Sequence, residues 1–365
     1  MIGILGGYGE IGIEATALLY NWGEHSIRIG GRNIEKARKE FQDKFSKSQW
    51  MFVDTNNGES IERFIKGCEL IVNCVGPSYE TSALVAKKSL EKGCHYVDVG
   101  FNKELETMYE ENNKLSAIYG AGAIPGLSGI LPKWLSNGFH KVQSLICYTG
   151  ILDKFTPSAA EDYLAGASKD TKAMVGWKDG RINTGNLRRE KDVELPYFSN
   201  RVNLYPYFDN ETQYLCRELI IENGEWYMAF EGKQLQTILE EVCFQFLSDR
   251  DIAVERLCKA TALDSVGKHS YINFLIEITG IKNNLKEVKT LILKSNKPSV
   301  LTGTIVGIVA RAVLEGCVER GIKSLSQVSN LERIIEILIK TNAVSIFDVK
   351  DCSIKDLLQV VEGDI

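Results

Sequence analysis

Three glycines near the start of the chain, Gly7, Gly9 and Gly12, are spaced as G-x-G-x-x-G between two apolar runs. The run from Ile2 to Leu5 is typical of a buried strand, and the run from Ile13 to Leu19 is typical of a helix. In that context Gly7 permits a tight turn, Gly9 lets a pyrophosphate approach the backbone, and Gly12 lets the helix pack on the sheet. The segment therefore predicts a dinucleotide site at a helix N-terminus, and the alternative is a purely structural glycine turn.

The residues after the second predicted strand, Ser26 to Ile29, indicate which dinucleotide would bind. An NAD site places a carboxylate at this point for the ribose 2′-hydroxyl. This chain continues instead with Gly30, Gly31, Arg32 and Asn33. A guanidinium suits a 2′-phosphate, so we predict NADP(H) as the cofactor. The alternative is that Arg32 is a solvated loop residue.

Further cofactor contacts are expected at other strand ends, because ligands of open α/β sheets lie outside the carboxyl ends of the strands. The predicted cofactor-binding residues are Gly7, Tyr8, Gly9, Glu10, Ile11, Gly12, Gly31, Arg32, Asn33, Asp54, Cys74, Val75, Gly76, Pro77, Pro125 and Gly126.

A nicotinamide carries the hydride chemistry itself, but the substrate atom that gains charge needs a proton donor. The candidates near strand ends are Asp98, Tyr79, Tyr96 and Lys103. Asp98 is favoured because a carboxylate at a strand end beside an apolar surface has a raised pKa. Two alternatives stay open, namely that Asp98 only caps a turn and that Tyr96 belongs to the core.

Candidate substrate contacts follow in the middle of the chain. Ser128 is one of them, or else the N-cap of the next helix. Arg181 and Arg201 would clamp a substrate carboxylate, although arginines in a polar stretch are equally typical of a solvated face. No metal site is predicted, because the four histidines are scattered and the nine cysteines form no C-x-x-C pair.

The order of predicted elements favours an α/β fold with two domains. The first third alternates strand and helix, which is typical of a Rossmann doubly wound parallel sheet. We expect this dinucleotide-binding domain over residues 1–125, with residues 300–365 returning to pack on it. An α+β domain built on a largely antiparallel sheet is expected over 126–299, for substrate and dimerisation. Asn223-Gly224 predicts the turn of a hairpin from Leu219 to Phe230.

Composition excludes several classes of protein. The net charge is −5 with no basic cluster, so neither a nucleic acid nor an anionic membrane is expected as a partner. The longest apolar stretch, Gly303 to Leu314, is interrupted by Arg311 and is too short to span a bilayer. The N-terminus lacks a signal-peptide pattern, and the odd number of cysteines favours free thiols, so we expect a cytoplasmic location. A homodimer is also expected.

Several segments together resemble the saccharopine dehydrogenase-like (saccharopine reductase) family. They are GGYGEIG at the start, GGRN after the second strand, NCVGPSYETSALVAKKSLEKGCHYVDVG from Asn73 to Gly100, and GAIPGLSGILP from Gly122 to Pro132. The resemblance gives Tyr96 and Asp98 the positions of the family's Y-x-D pattern. It implies an oxidoreductase that uses a nicotinamide cofactor, NADPH most of all.

The resemblance also implies a reaction class. Members of the family reduce a C=N bond formed from an amine and a carbonyl, or oxidise the corresponding amine. We therefore expect reduction of an imine-type or related double bond in an amino-acid-derived substrate, either free or carrier-bound. Two alternatives stay open: an amino-acid dehydrogenase that works oxidatively, and a non-catalytic regulator that senses NADP(H).

Overall fold

The computed structural model describes residues 1–108, 114–169, 174–185 and 187–363. It divides into two compact units. The first contains Met1–Leu127 and Ser299–Ala343, and the second contains Ser128–Pro298 and Val344–Ile365. The chain therefore leaves the first unit, returns to complete it, and leaves it again near the C-terminus.

Strands and helices alternate through the first part of the chain. In order they are β1 (Ile2–Leu5), α1 (Gly12–Trp22), β2 (Ile27–Gly31), α2 (Ile34–Phe41), β3 (Gln49–Phe52), α3 (Gly58–Ile65), β4 (Leu70–Asn73), α4 (Ser78–Glu91), β5 (His95–Asp98), α5 (Lys103–Thr107), β6 (Ser116–Tyr119) and α6 (Leu127–Leu135). All residues of β1, β4 and β6 are buried, as expected for strands covered on both faces.

The second unit contains the longest strands of the chain. Its elements up to the return are β7 (Lys141–Leu152), α7 (Pro157–Lys169), β8 (Val175–Lys178), β9 (Arg181–Thr184), β10 (Glu190–Val193), β11 (Val202–Pro206), α8 (Asn210–Glu218), β12 (Asn223–Phe230), α9 (Lys233–Phe246), α10 (Arg250–Asp264), β13 (Tyr271–Lys282) and β14 (Leu285–Ser295). The remaining elements are α11 (Pro298–Leu314), β15 (Gly321–Ser324), a 3₁₀ turn (Leu325–Gln327), α12 (Glu332–Ile339), β16 (Ile346–Lys350) and α13 (Ile354–Gly363).

The sheet of the first unit has the strand order β15-β6-β5-β4-β1-β2-β3, and its strand pairs are parallel. The predicted doubly wound sheet is thereby confirmed. The strand order reverses between β1 and β4, which is the position where such sheets open a crevice for a ligand.

The second unit is built on a nine-stranded mixed sheet. Seven strands follow the path β10-β11-β12-β7-β13-β14-β16, and off this path β8 pairs with both β12 and β9. Only β7 and β12 pair in parallel along this path, so the predicted, largely antiparallel α+β domain is confirmed. Asn283 and Asn284 both have positive φ and form the two-residue turn between β13 and β14. Asn223 instead begins β12, so the predicted hairpin turn at 223–224 is wrong.

The C-terminal segment differs from the prediction that residues 300–365 pack on the first domain. The part containing α11, β15 and α12 lies in the first unit, where β15 pairs with β6. β16, however, pairs with β14 of the second unit, from Thr290 opposite Lys350 to Lys294 opposite Ile346. The chain end therefore adds an edge strand to the second sheet, and it belongs to that unit.

The helix α11 is buried along most of its length and packs on α1. A Cβ on Gly303 would lie 2.3 Å from the carbonyl oxygen of Ile11 and 2.7 Å from Cβ of Glu14. Glycine at this position thus lets the late helix approach the N-terminus of α1 closely. In the described part of the chain, no helix is long and apolar enough to cross a membrane.

Candidate dinucleotide site

The turn after β1 is closed by backbone contacts that leave no room for a Cβ at Gly6 or Gly12. Gly6 has φ of 68°, and its N–H donates to the carbonyl of Gly30 over 2.8 Å. A Cβ on Gly12 would lie 2.1 Å from the carbonyl oxygen of Gly6, which is closer than any real Cβ contact. The glycine at position 12 is therefore required for α1 to begin directly against the turn, as the spacing predicts.

The tight turn predicted at Gly7 depends on two glycines, Gly6 and Gly7. The positive φ that a tight turn needs occurs at Gly6, one residue before the motif. Gly7 is instead limited by its neighbour, because a Cβ there would lie 2.9 Å from Oγ1 of Thr16. Thr16 also donates its hydroxyl to the carbonyl of Gly7 over 2.8 Å, which ties the turn to α1.

The N-terminus of α1 suits an anion. Its N-cap residue, Ile11, provides no side-chain cap, and Gly9 and Glu10 beside it are exposed. The N-terminal N–H groups of a helix carry a partial positive charge, which favours phosphate. A glycine cradle in front of an uncapped helix is the arrangement that a pyrophosphate requires, so the residues present fit a dinucleotide.

The end of β2 lies beside this turn, since Leu5 of β1 pairs with Gly30 of β2. Arg32 and Asn33 are exposed there, and within the described part of the chain no carboxylate forms an ion pair with Arg32. Tyr8 reaches across from the glycine turn, and its hydroxyl accepts the backbone N–H of Asn33 over 2.9 Å. The strand end therefore presents donors and no carboxylate.

The loop after β4 contains the predicted contacts Cys74, Val75, Gly76 and Pro77, all half-buried. Its first residue, Cys74, donates its N–H to the carbonyl of Leu5 at the end of β1 over 2.9 Å. The loop therefore begins beside the glycine turn, on the other side of β1 from β2. The loop lies where the strand order reverses, and a bound dinucleotide would extend along it from the glycine turn.

Asn73 positions this loop, and the sequence-based prediction does not include it. It is fully buried, and its Oδ1 accepts the N–H of Val75 over 3.2 Å. Its Nδ2 donates to Asp98 over 2.9 Å, and it lies 3.2 Å from the hydroxyl of Tyr96. The signal available in the sequence was an amide at the end of an otherwise apolar strand, since a buried amide needs partners.

The side chain of Asp98 is enclosed by hydrogen-bond donors and does not reach the protein surface. Its side chain is fully buried, and its carboxylate accepts bonds from the Tyr96 hydroxyl, the Asn73 amide and the N–H of Gly100. Burial raises the pKa of Asp98, and burial together with the adjacent carboxylate raises that of Tyr96 far above its ordinary value. In the structure these two side chains hold the end of β5, in line with the alternatives of a turn-capping Asp98 and a core Tyr96, and the assignment of a proton donor stays a prediction.

The other candidates near the first sheet are placed as follows. Tyr79 is half-buried in the first turn of α4, and its carbonyl accepts the Asn102 amide over 3.3 Å. Asp54 accepts the N–H of Asn56 over 3.0 Å, which closes the turn before α3. The side chain of Lys103 lies outside the described part of the structure.

Pro125 and Gly126 follow β6 in a closed loop. The N–H of Gly122 donates to the carbonyl of Pro125 over 3.1 Å. Gly126 has φ of 127°, and a Cβ there would lie 2.3 Å from the carbonyl oxygen of Gly122. Because β6 is separated from β4 by β5, this loop lies farther along the sheet edge than the Cys74 loop.

The predicted substrate residues belong to the second unit or to the helix that enters it. Ser128 donates its hydroxyl to the carboxylate of Glu211. Arg181 is exposed in the edge strand β9. Arg201 is exposed and paired with two carboxylates, those of Asp192 and Glu194. Its guanidinium thus has carboxylate partners within the protein, and a contact with a substrate carboxylate stays a prediction.

Among the described residues, no group of His, Cys, Asp or Glu could hold a metal ion. The nine cysteines are free thiols. Those at 74 and 147 have pKa values raised by burial, so they are kept protonated and unreactive.

Comparison with known families decides the type of cofactor domain. Residues 2–123 match the family model described as the saccharopine dehydrogenase NADP binding domain. The first unit contains a saccharopine dehydrogenase-type nucleotide-binding domain. The resemblance drawn from the sequence to the saccharopine dehydrogenase-like family is thereby confirmed for this domain. A search of curated protein sequences finds no significant match to the chain.

Solved structures extend the saccharopine dehydrogenase-like fold to both units. The chain is similar to the apo saccharopine dehydrogenase (L-Glu forming) of Saccharomyces cerevisiae, at 12% identity and a TM-score of 0.69, over 96% of this chain and 99% of that one. It is also similar to the homospermidine synthase of Legionella pneumophila in complex with NAD, at 11% identity and a TM-score of 0.59, over 96% and 91%. At these identities the likeness shows a common fold.

Proposed function

We propose that this protein is an NADP(H)-dependent oxidoreductase that reduces an imine-type C=N bond, or a related double bond, in an amino-acid-derived substrate. The observation that supports the cofactor is the arrangement at the ends of β1 and β2. There the glycine cradle fronts an uncapped helix, and Arg32 stands where an NAD site carries a carboxylate. The family model, which describes an NADP binding domain, supports the same cofactor.

A bound nicotinamide would supply the hydride, and the protein would supply position. The N–H groups at the start of α1 would bind the pyrophosphate, and Arg32 would bind the 2′-phosphate. Asn73 fixes the backbone of Val75 and so orients the loop that follows β4. Tyr79, half-buried beside that loop, remains our candidate for protonating the substrate.

Support for the substrate class comes from the solved structures of the same fold. One is named a saccharopine dehydrogenase that forms L-glutamate, and the other a homospermidine synthase. The synthase was solved with NAD, so the fold accommodates either nucleotide and the residues at the end of β2 must decide between them. We keep the oxidative direction, an amino-acid dehydrogenase, as the same chemistry run in reverse.

A second candidate function is an NADP(H)-sensing regulator without catalysis. The burial of Asp98 and Tyr96 favours it, because two of the four predicted proton donors have no exposed surface. The pairing of Arg201 with two carboxylates also favours it, because that guanidinium has partners within the protein. This candidate requires nucleotide binding, as the first does, but no turnover.

The test is a titration of NADPH and NADH into the full-length protein, read by nicotinamide fluorescence and thermal shift. Preference for NADPH supports the cofactor, and pairs of amines and carbonyls are then screened for NADPH consumption. Turnover with such a pair supports the reductase, and tight binding without turnover supports the sensor. Preference for NADH contradicts the role of Arg32, and binding of neither nucleotide overturns both candidates.

We also propose that the protein acts as a homodimer on a small substrate, without a nucleic-acid or membrane partner. Light scattering coupled to size exclusion tests this directly. A mass twice that of the 40.8 kDa chain supports the dimer, and the mass of a single chain overturns it.

A further inference from the structure

The glycine turn contains one large side chain, that of Tyr8, which lies against the end of β2. A Cβ on Gly31 would be 2.4 Å from the Tyr8 Oη and 2.6 Å from its Cε1. Gly31 is a buried residue of β2 without a positive φ, so the backbone at this position does not itself require glycine. The missing side chain at Gly31 makes room for the phenol.

The phenol is also held by its oxygen. The N–H of Asn33, the N-cap residue of α2, donates to the Tyr8 Oη over 2.9 Å, and the Asn33 side chain makes no cap bond of its own. The phenol oxygen thus serves as the acceptor that a helix N-terminus needs. A phenol that accepts one bond still has its own proton to donate. Tyr8 is therefore fixed in place and keeps a donor available.

The surroundings of this hydroxyl indicate which ligand group it would meet. Gly30 and Gly31 leave the end of β2 without a carboxylate, and the exposed guanidinium of Arg32 follows directly. In doubly wound sheets this strand end lies beside the adenosine ribose. A phenol O–H and a guanidinium are both donors, which suits an acceptor group and specifically a phosphate.

We propose that Tyr8 is a specificity-determining residue whose hydroxyl donates to the 2′-phosphate of NADP(H). The proposal rests on the proposed function, and it adds a second donor to that of Arg32. A bond to a charged phosphate is stronger than one to a neutral ribose hydroxyl. Tyr8 therefore contributes more to NADPH binding than to NADH binding, and Gly31 enables this by leaving the space that the ring occupies.

The experiment compares Tyr8→Phe with a matched control, Tyr20→Phe. Tyr20 lies on α1, and its exposed hydroxyl contacts Oγ of Ser46 at 3.4 Å. The probes are NADPH, NADH, adenosine 2′,5′-bisphosphate and AMP, each titrated into the full-length variants. Tyr8→Phe is expected to weaken NADPH and the bisphosphate by about tenfold and to leave NADH and AMP within about twofold. Tyr20→Phe is expected to change none of the four.

A second variant moves the Tyr8 hydroxyl without removing it. In Gly31→Ala the new methyl group displaces the tip of the Tyr8 ring, so the same loss for NADPH is expected with the hydroxyl still present. The double variant Tyr8→Phe, Gly31→Ala is expected to lose little more than either single change, since both remove one interaction.

The outcomes are distinct. Equal losses for NADPH and NADH in Tyr8→Phe overturn the specificity role, as does the same loss in Tyr20→Phe. A gain in NADPH affinity also overturns it and makes the phenol an obstruction. The wild-type protein tests the proposed function separately, because the function itself fails if the protein binds neither nucleotide. If the wild-type protein prefers NADPH and Tyr8→Phe binds it equally well, only the inference about Tyr8 is refuted.

Discussion

The side-chain amide of Asn73 donates to the carboxylate of Asp98 over 2.9 Å, and so connects the ends of the neighbouring strands β4 and β5. The same amide group accepts the N–H of Val75, and the carboxylate accepts that of Gly100. One buried contact therefore fixes the loops that follow both strands. Hydrogen bonds from buried side chains thus hold both of the strand ends beside which the cofactor would lie.

Replacing Asn73 with alanine removes its bond to the buried Asp98 and its bond to the N–H of Val75, so Asp98 loses one of its three donors and the Val75 N–H loses its acceptor. We expect Asn73→Ala to lower the free energy of unfolding by about 1–3 kcal/mol, because an unsatisfied buried polar group has that cost. Nucleotide affinity should fall as well, since the backbone of Val75 is released. Urea denaturation and NADPH titration measure the two effects, and unchanged stability would contradict the anchoring role.

Asp98→Asn distinguishes an anchor from a proton donor. The amide keeps the shape of the carboxylate but must direct N–H groups at donors such as Gly100 or Asn73. We expect a stability loss of about 1–3 kcal/mol, with the pH dependence of kcat/KM unchanged in the folded fraction. A kcat loss of several orders of magnitude at unaltered stability would restore Asp98 as the proton donor.

Gly12→Ala tests the glycine cradle. The added Cβ would meet the carbonyl oxygen of Gly6 at 2.1 Å, and because this is a backbone atom the turn must move. We expect NADPH affinity to fall by at least about tenfold, which corresponds to about 1.4 kcal/mol. Gly166→Ala is the matched control, because that helical glycine of α7 has open space around it. There we expect unchanged binding and a gain of about 0.5–1 kcal/mol in stability.

Arg32→Ala tests the proposed 2′-phosphate contact. The guanidinium is exposed and forms no ion pair in the described part of the chain, so its removal costs little stability. We expect NADPH affinity to fall by about ten- to a hundredfold, the value of a hydrogen bond to a charged group, and NADH affinity to change little. Equal losses for both nucleotides, measured by fluorescence titration, would show that Arg32 does not contact the 2′-phosphate.

Glu315 links stability to pH in the first unit. Bonds from Arg333 and Arg311 hold the pKa of its carboxylate below the ordinary value of 4.5. A lowered pKa stabilises the fold above the ordinary value, and this contribution is lost as the pH falls through the folded-state value. The group is partly solvated, so the expected effect is about 0.5–1 kcal/mol. Glu315→Gln should lower the melting temperature at pH 7, and the difference from wild type should shrink as the pH falls below 4.5 through the folded-state pKa.

The parts of the fold that depend on local signals could be predicted from the sequence. The glycine turn, the apolar strands β1 and β4, and the two-residue turn at Asn283-Asn284 each follow from residues that are close together in the chain. The doubly wound sheet follows from the alternation of such elements. These features need no knowledge of distant partners.

The Asn223-Gly224 pair shows where local reasoning fails. It is a strong hairpin signal, yet Gly224 lies inside β12, opposite Leu145 of β7 and Trp177 of β8. A Cβ on Gly224 would lie 2.4 Å from the ring of Trp226, so the glycine serves packing rather than a turn. Strand pairing over long sequence distances overrides the local preference.

The sequence left two roles open for Asp98, a proton donor and a turn cap, for a similar reason. Its position at a strand end was predictable, but its exposure depends on Asn73 and Tyr96, whose side chains meet it only in the folded sheet. The pairing of β16 with β14 was likewise unpredictable. All five residues of β16 are half-buried, so the strand has no alternation of buried and exposed positions that would favour one sheet over the other.

The contact between Gly303 and Ile11 has a consequence for synthesis of the chain. The glycine turn is made well before the helix that packs behind α1, because the whole segment from Ser128 to Pro298 is made between them. Until then, the apolar surface that α11 covers stays open to water, to chaperones and to other nascent chains. A fragment that ends at Leu127 would keep the complete nucleotide-binding sequence and lack the support that holds it folded.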